Sequence, residues 1–170
     1  MMNNFDLKKI AESLVETFKQ AGEESVNLYE KGLEIEIKAD KSPVTNGDLK
    51  VNNILIEKIS SLTPDIKIIS EENVDLSVKN KSKVFWLIDP IDGTKEYIAG
   101  NDEYTLNAAL VINKVPVLGL VGAPKKNRIF FTYAQGESFV VEGNNIKKIN
   151  CKKKQPKNNI VALSSVIKPS

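Results

Sequence analysis

The run Phe85-Trp86-Leu87-Ile88-Asp89-Pro90-Ile91-Asp92-Gly93-Thr94 sets two carboxylates three residues apart behind a continuous apolar stretch. Val84–Ile88 predicts a buried strand that delivers Asp89 at its end. Pro90 fixes φ, and Gly93 admits a backbone angle that other residues avoid. The turn that follows can therefore hold Asp89 and Asp92 side by side. Two carboxylates in that position repel each other unless a cation lies between them. Hard oxygen ligands suit Mg²⁺, which keeps several waters and takes further ligands from phosphate. Backbone N–H groups at Gly93 and Thr94, opening a short helix, can meet phosphate oxygens. Taken alone, the segment reads equally well as an ordinary acidic turn, because Asp, Pro and Gly are common turn residues.

Competing motifs fail on spacing. Counted from Asp89, the third, fifth and twelfth positions of an EF-hand loop fall on Ile91, Gly93 and Gly100, none a ligand. A Walker-A loop would need glycine where Ile88 stands. An aspartyl-phosphate phosphatase motif comes closer, but its aspartates lie two apart, which would misplace Asp92.

Composition narrows the chemistry further. The chain has 170 residues, no histidine and a single cysteine, Cys151. Ser-His and Cys-His catalysis are excluded, and a standard zinc site has too few ligands. Arg128 is the only arginine, so an arginine clamp on phosphate is not expected. The net charge of +2 is too small to argue for nucleic acid. Lys147, Lys148, Lys152, Lys153, Lys154 and Lys157 lack interleaved aromatics and read as a solvated linker. No stretch approaches ~18 uninterrupted apolar residues, so no transmembrane helix is expected. Asn3, Asn4, Asp6 and Lys8 break up any secretory signal. Together with the lone cysteine, this predicts the cytoplasm, with peripheral contact to the inner membrane left open.

The elements that must position these residues follow from periodicity. Asn4–Tyr29 predicts an amphipathic helix, with Phe5, Ile10, Leu14, Phe18, Ala21 and Leu28 on one face. Gly32–Ala39 alternates apolar and charged residues and predicts a half-buried strand. A second helix begins at Thr45 or Asn46, either of which can cap it, and ends at Pro64–Asp65. Ile66–Ser70 predicts a strand delivering Glu71 and Glu72. Further strands are expected at Thr105–Ile112, Val115–Val121, Arg128–Tyr133, Ser138–Val141 and Ile146–Ile149, with a turn at Asn113–Lys114. Asn159–Leu163 predicts one more. Two helices followed by hairpin-linked strands make the fold class α+β. Residues 1–150 are expected to form the metal- and phosphate-binding domain, and 151–170 a linker and first strand of a further half.

The signature Asp89-Pro90-Ile91-Asp92-Gly93-Thr94 after Trp86-Leu87-Ile88 resembles that of the inositol monophosphatase superfamily. Three other stretches match in order: Asp40-Lys41-Ser42-Pro43-Val44-Thr45 with Asp48, Ser70-Glu71-Glu72, and Pro116–Val121 before Ala123-Pro124. The resemblance spans roughly residues 5 to 165. It implies the N-terminal portion of a layered α/β sandwich, two helices packed on a largely antiparallel sheet. Lys95-Glu96-Tyr97 and Tyr104-Thr105-Leu106-Asn107 resemble the CysQ-type 3'(2'),5'-bisphosphate nucleotidase branch. That branch removes the 3'-phosphate of adenosine 3',5'-bisphosphate to give AMP in sulfur metabolism.

The resemblance also implies site roles. Glu71, Asp89 and the Ile91 carbonyl would hold one Mg²⁺, and Asp89 and Asp92 a second. The complete family site holds two or three ions. Thr94 would orient the attacking water, with Asp48 accepting from its hydroxyl. Asp48, Glu71 and Thr94 are thus the candidate catalytic residues. Asp92, Gly93 and Thr94 are the candidates for substrate phosphate, and Glu72 is read as a neighbour. Lithium sensitivity is a further expectation.

Two departures stand out. Gly47 replaces the alanine usual before the aspartate, which loosens that turn slightly. The family's C-terminal half, with a Trp-Asp element that completes the second metal site, has no counterpart, since Trp86 is the only tryptophan. The chain is therefore read as C-terminally truncated, with one sheet face uncovered and available for self-association. An inositol or sugar phosphatase and a non-catalytic remnant stay open as alternatives.

Overall fold

The computed structural model describes residues 6–73 and 82–150. Helix α1 (Leu7–Lys31) opens at Asp6, whose carboxylate accepts the Lys9 N–H at 3.0 Å, and it gives way to Gly32 at φ 100°. Its buried stripe includes Leu14, Phe18 and Ala21, as the periodicity predicts. Helix α2 (Asn46–Leu62) is capped by Thr45 rather than Asn46. Helix α3 (Thr94–Ile98) is a short turn after Gly93.

The main sheet has seven strands in chain order. They are β3 (Lys67–Ser70), β4 (Val84–Asp92), β5 (Thr105–Ile112), β6 (Val115–Ala123), β7 (Arg128–Ala134), β8 (Glu137–Glu142) and β9 (Asn145–Ile149). Strands β3 and β4 are parallel, and every other pair is antiparallel. Asn113 and Lys114, at φ 51° and 67°, form the β5–β6 hairpin turn, matching the right-handed twist of the strands they join.

Helices α1 and α2 pack on each other and on one sheet face, α1 over β6 and β7 and α2 over β4. Trp86, Ile88, Leu106, Leu110, Leu118 and Leu120 point into that layer and are fully buried. Side chains alternate along a strand, so Leu87, Val121 and Phe130 fall on the opposite face, where they are exposed. The architecture is the expected α+β layer of helices on a largely antiparallel sheet.

Two expectations change. The segment Gly32–Ala39 is not half-buried: its strand β1 (Ile35–Ile37) is exposed at all three positions and pairs only with β2 (Pro43–Thr45). This two-stranded arm is separate from the main sheet, and of Leu33, Ile35 and Ile37 only Leu33 packs against the core. Strand β4 does not stop at Ile88 but continues to Asp92. The strand expected at Asn159–Leu163 and the linker at 151–170 lie outside the described residues.

Candidate active site

Register brings the acidic residues to one end of the sheet. Ser70 pairs with Ile88 in the parallel β3–β4 ladder, so the next residues, Glu71 and Asp89, leave that ladder as neighbours. The Ser70 hydroxyl donates to Asn52 Oδ1 at 2.6 Å, fixing this strand end to α2. Across the antiparallel pair, Asp89 faces Asn107 and Asp92 faces Thr105. Three steps on β4 thus oppose two on β5. A bulge at Pro90–Ile91 absorbs the extra residue and turns Asp92 to the same face as Asp89. Proline suits the bulge because it cannot donate to the ladder. The two aspartates therefore sit on one bulged strand, not in a turn. The turn comes at Gly93, whose φ of 98° and ψ of 43° exclude most residues. A β-carbon there would also lie 3.1 Å from the Glu103 carbonyl oxygen.

Asp48 enters from α2. The Thr45 hydroxyl donates to Asp48 Oδ2 at 2.5 Å and accepts the Gly47 and Asp48 N–H groups at 3.1 and 3.3 Å. Asp48 Oδ2 also accepts the Thr45 N–H at 2.8 Å. This capping box satisfies the orphan donors of the first turn and locks the carboxylate of a residue only 1% exposed. Its other oxygen, Oδ1, lies 3.1 Å from the Thr94 hydroxyl. The same hydroxyl is 3.2 Å from the Ile91 carbonyl oxygen.

Electrostatics converge on Asp89. Burial pushes its carboxyl up to about 7, and the charges of Glu71 and Asp92, a hydrogen bond shared with Glu71, and the charge of Asp48 add to the effect. Asp89 Oδ1 is buried with no hydrogen-bond partner. Such an orphan is costly in a protein interior unless something else satisfies it. A partnerless carboxylate oxygen flanked by two more carboxylates fits a hard divalent cation.

The neighbours are turned to other partners. Glu71, with a side chain 54% exposed, lies 3.6 Å from the Lys38 ammonium, and Asp92 Oδ2 accepts from Asn107 at 3.3 Å. Among the described residues, no three acidic side chains are gathered closely enough to enclose a metal ion.

The structure thus brings together Asp48 and Thr94, sets Glu71, Asp89 and Asp92 around one strand end, and places Ile91 and Gly93 between them. Lys38 and Asn107 are additional polar partners. Lys38 pairs with Glu72 at 2.9 Å, and Glu72 is tucked in at 5% side-chain exposure. Burial raises the Glu72 carboxyl above its ordinary range, against the opposing pull of Lys38. Within Glu34–Lys38 the lysine occupies a solvent-side position of the alternation, so no local signal marked it. Asn107 was visible only as part of a resemblance.

Residues 6–169 match the family model described as the inositol monophosphatase family. The chain is 35% identical over 141 residues to the 3'(2'),5'-bisphosphate nucleotidase CysQ of Escherichia coli (strain K12), covering 81% of this chain and 57% of that protein. It is 33% identical over 132 residues to the protein of the same name from Haemophilus influenzae, covering 76% of this chain and 49% of that one. The crystal structure of CysQ from Bacteroides thetaiotaomicron superposes with a TM-score of 0.67 at 29% identity, covering 87% of this chain and 54% of that chain. An IMPase/NADP phosphatase complexed with Mg²⁺ and phosphate shares the fold, with a TM-score of 0.69 at 19% identity. The chain spans about half the length of the relatives it matches.

Proposed function

Because the chain belongs to the inositol monophosphatase family, we propose that it forms the metal- and phosphate-binding part of a 3'(2'),5'-bisphosphate nucleotidase. The reaction would be hydrolysis of the 3'-phosphate of adenosine 3',5'-bisphosphate, giving AMP. The likeness to relatives named 3'(2'),5'-bisphosphate nucleotidase supports the nucleotide over an inositol phosphate. The observation that carries the chemistry is the partnerless, buried Asp89 Oδ1 beside the Thr94–Asp48 hydrogen bond.

Glu71, Asp89, the Ile91 carbonyl and Asp92 would hold the Mg²⁺ ions. Bound magnesium supplies charge neutralisation on the phosphate and acidifies a water. Thr94 positions the attacking water through its hydroxyl, and Asp48 takes the proton-side hydrogen bond from that hydroxyl. Asp48 holds still for this because Thr45 already engages its other oxygen. The water oxygen joins phosphorus as the phosphoester bond breaks, and the nucleoside oxygen leaves with a proton. Gly93 and Thr94 at the opening of α3 are assigned to the phosphate oxygens, with Asp92 beside them.

Among the described residues no helix is long and apolar enough to cross a membrane. The cytoplasm is the compartment that this chemistry suits. The sheet face opposite the helices, where Leu87, Val121 and Phe130 are exposed on three strands, supports self-association between copies of the chain.

The test is phosphate release from adenosine 3',5'-bisphosphate and from inositol 1-phosphate, each with Mg²⁺ and with chelator. Mg²⁺-dependent release favouring the nucleotide is expected. Preference for inositol 1-phosphate would overturn the branch assignment. A second reading rests on the ungathered carboxylates: the chain binds metal weakly and does not turn over. A folded chain that binds Mg²⁺ and releases no phosphate from either substrate would establish it.

A further inference from the structure

Gly47 precedes Asp48, and α3 places Thr94 three residues before Tyr97. Tyr97 is 1% exposed, and its ring packs on Tyr104 with centroids 4.8 Å apart. Its hydroxyl donates to the Ser25 carbonyl of α1 at 2.5 Å, so the ring is fixed at both ends. The hydroxyl end of that ring lies against Gly47. A β-carbon built on Gly47 would stand 2.5 Å from the Tyr97 hydroxyl oxygen, 2.7 Å from Cε1 and 2.9 Å from Cζ.

Gly47 does not have the positive φ that would itself call for glycine. Among the glycines without such a φ, the nearest contacts a β-carbon would make are 3.4 Å at Gly22, 3.9 Å at Gly119 and 3.1 Å at Gly122. Of these four, only Gly47 falls below 3.0 Å. It is glycine for space, because an aromatic ring occupies the volume of its side chain.

We propose that Gly47 and Tyr97 are a matched positioning pair, which seats α3 against the first turn of α2 and so sets the Thr94–Asp48 distance at 3.1 Å. Neither residue touches the reacting atoms. Tyr97 carries the α3 side of the contact and Gly47 the α2 side, each within three residues of the group it places. A β-carbon at Gly47 forces one helix start away from the other. Misplacement by about 1 Å can cost a reaction on the order of 10²-fold. The inference deepens the proposed phosphatase reading and rests on it for its catalytic consequence.

The test uses the full chain and three variants: Gly47→Ala, Tyr97→Phe and the double variant. Two quantities are read in each. The first is kcat and KM for Mg²⁺-dependent phosphate release from adenosine 3',5'-bisphosphate. The second, needing neither metal nor substrate, is amide hydrogen exchange at Tyr97, whose N–H donates to the Gly93 carbonyl at 2.9 Å, against amides of the β5–β6 ladder.

Gly47→Ala is expected to lower kcat roughly tenfold or more with KM within about twofold, and to speed Tyr97 exchange about tenfold with the ladder amides unmoved. Tyr97→Phe removes the closest atom and the Ser25 tether and so frees the ring to move off the remaining Cε1 and Cζ contacts, and the double variant is expected to recover part of both losses. Three outcomes overturn the pairing: no change in Tyr97 exchange in Gly47→Ala, equal acceleration of the ladder amides, or no recovery in the double variant. Absence of phosphate release from the unsubstituted chain overturns the functional reading instead, while the exchange arm still decides the pairing.

Discussion

The Thr94 hydroxyl and Asp48 Oδ1 meet at 3.1 Å across forty-six positions of sequence. Thr94 opens the helix that follows the bulged strand, and Asp48 lies in the first turn of a helix that begins much earlier. Their union is the contact in which the two halves of the proposed proton path touch. Thr94→Val keeps the shape and removes the hydroxyl. Its kcat for phosphate release is expected to fall about 10²–10⁴-fold, the span of a lost acid–base group. Mg²⁺ affinity by calorimetry should stay within about twofold, and Thr94→Ser should restore most of the rate. A Thr94→Val chain with undiminished kcat would remove Thr94 from the mechanism.

How much of this was legible in the sequence follows a physical line. Buried periodicities translated directly: the stripe of α1, the alternation of β5 and the turn at Asn113–Lys114 all lie where the residue pattern puts them. Asp89 and Asp92 were read by type and spacing, whereas Asp48, Glu71 and the Thr94 hydroxyl entered only through the family resemblance. What the pattern could not carry was context from other strands. Pro90 reads locally as a strand breaker, yet β5 continues to pair beyond it, and the bulge keeps Asp92 in the sheet. The apolar residues of β1 read as a buried face, yet both are exposed. Lys38 reads as solvent-side, yet Glu72 reaches it from thirty-four positions away. In each case the deciding partner is distant in sequence.

Lys38 stands where a metal would have to compete. Its ammonium lies 2.9 Å from Glu72 and 3.6 Å from Glu71. Burial pulls the Lys38 ammonium down, but Glu72, Glu71 and Asp48 together hold it above its ordinary range, so it stays charged. Lys38→Met removes a cation that both occupies Glu71 and repels Mg²⁺. Mg²⁺ binding measured by calorimetry is expected to tighten about threefold, the scale of a half-exposed ion pair. The same change leaves the tucked-in Glu72 without its partner, and urea unfolding should show a loss of about 1 kcal/mol. Weaker Mg²⁺ binding would instead make Lys38 a support for Glu71.

The sheet face opposite the helices makes a separate prediction. Leu87 is 49% exposed, between two strands that present Ile69 and Ala109 beside it. Exposed apolar side chains on a sheet face favour association. Leu87→Lys is expected to shift the chain toward monomer in sedimentation velocity at micromolar concentration. Its fold should persist, because the side chain faces away from Trp86 and Ile88. Identical sedimentation of the two proteins, both associated, would show that copies meet elsewhere.

Asp89 gives the chain a pH dependence of unusual sign for an aspartate. With its carboxyl pushed up to about 7 in the fold from an ordinary value of 3.8, the protonated form is the one the fold favours. Its stabilising contribution is complete below pH ~4 and disappears as pH rises through about 7. Without metal, stability should therefore decline between pH ~4 and ~7. After allowance for solvent screening of a half-buried group, the decline should be on the order of 1 kcal/mol. Asp89→Asn removes the ionisable group and should flatten that slope, leaving the variant more stable than the parent in chelator at pH ~8. The same variant should lose the stabilisation that added Mg²⁺ gives the parent, along with any phosphate release. Fluorescence of Trp86, the only tryptophan and three residues from Asp89, reports urea unfolding of both proteins directly. A parent slope preserved in Asp89→Asn would assign the titration to another group and take Asp89 out of the centre of the site.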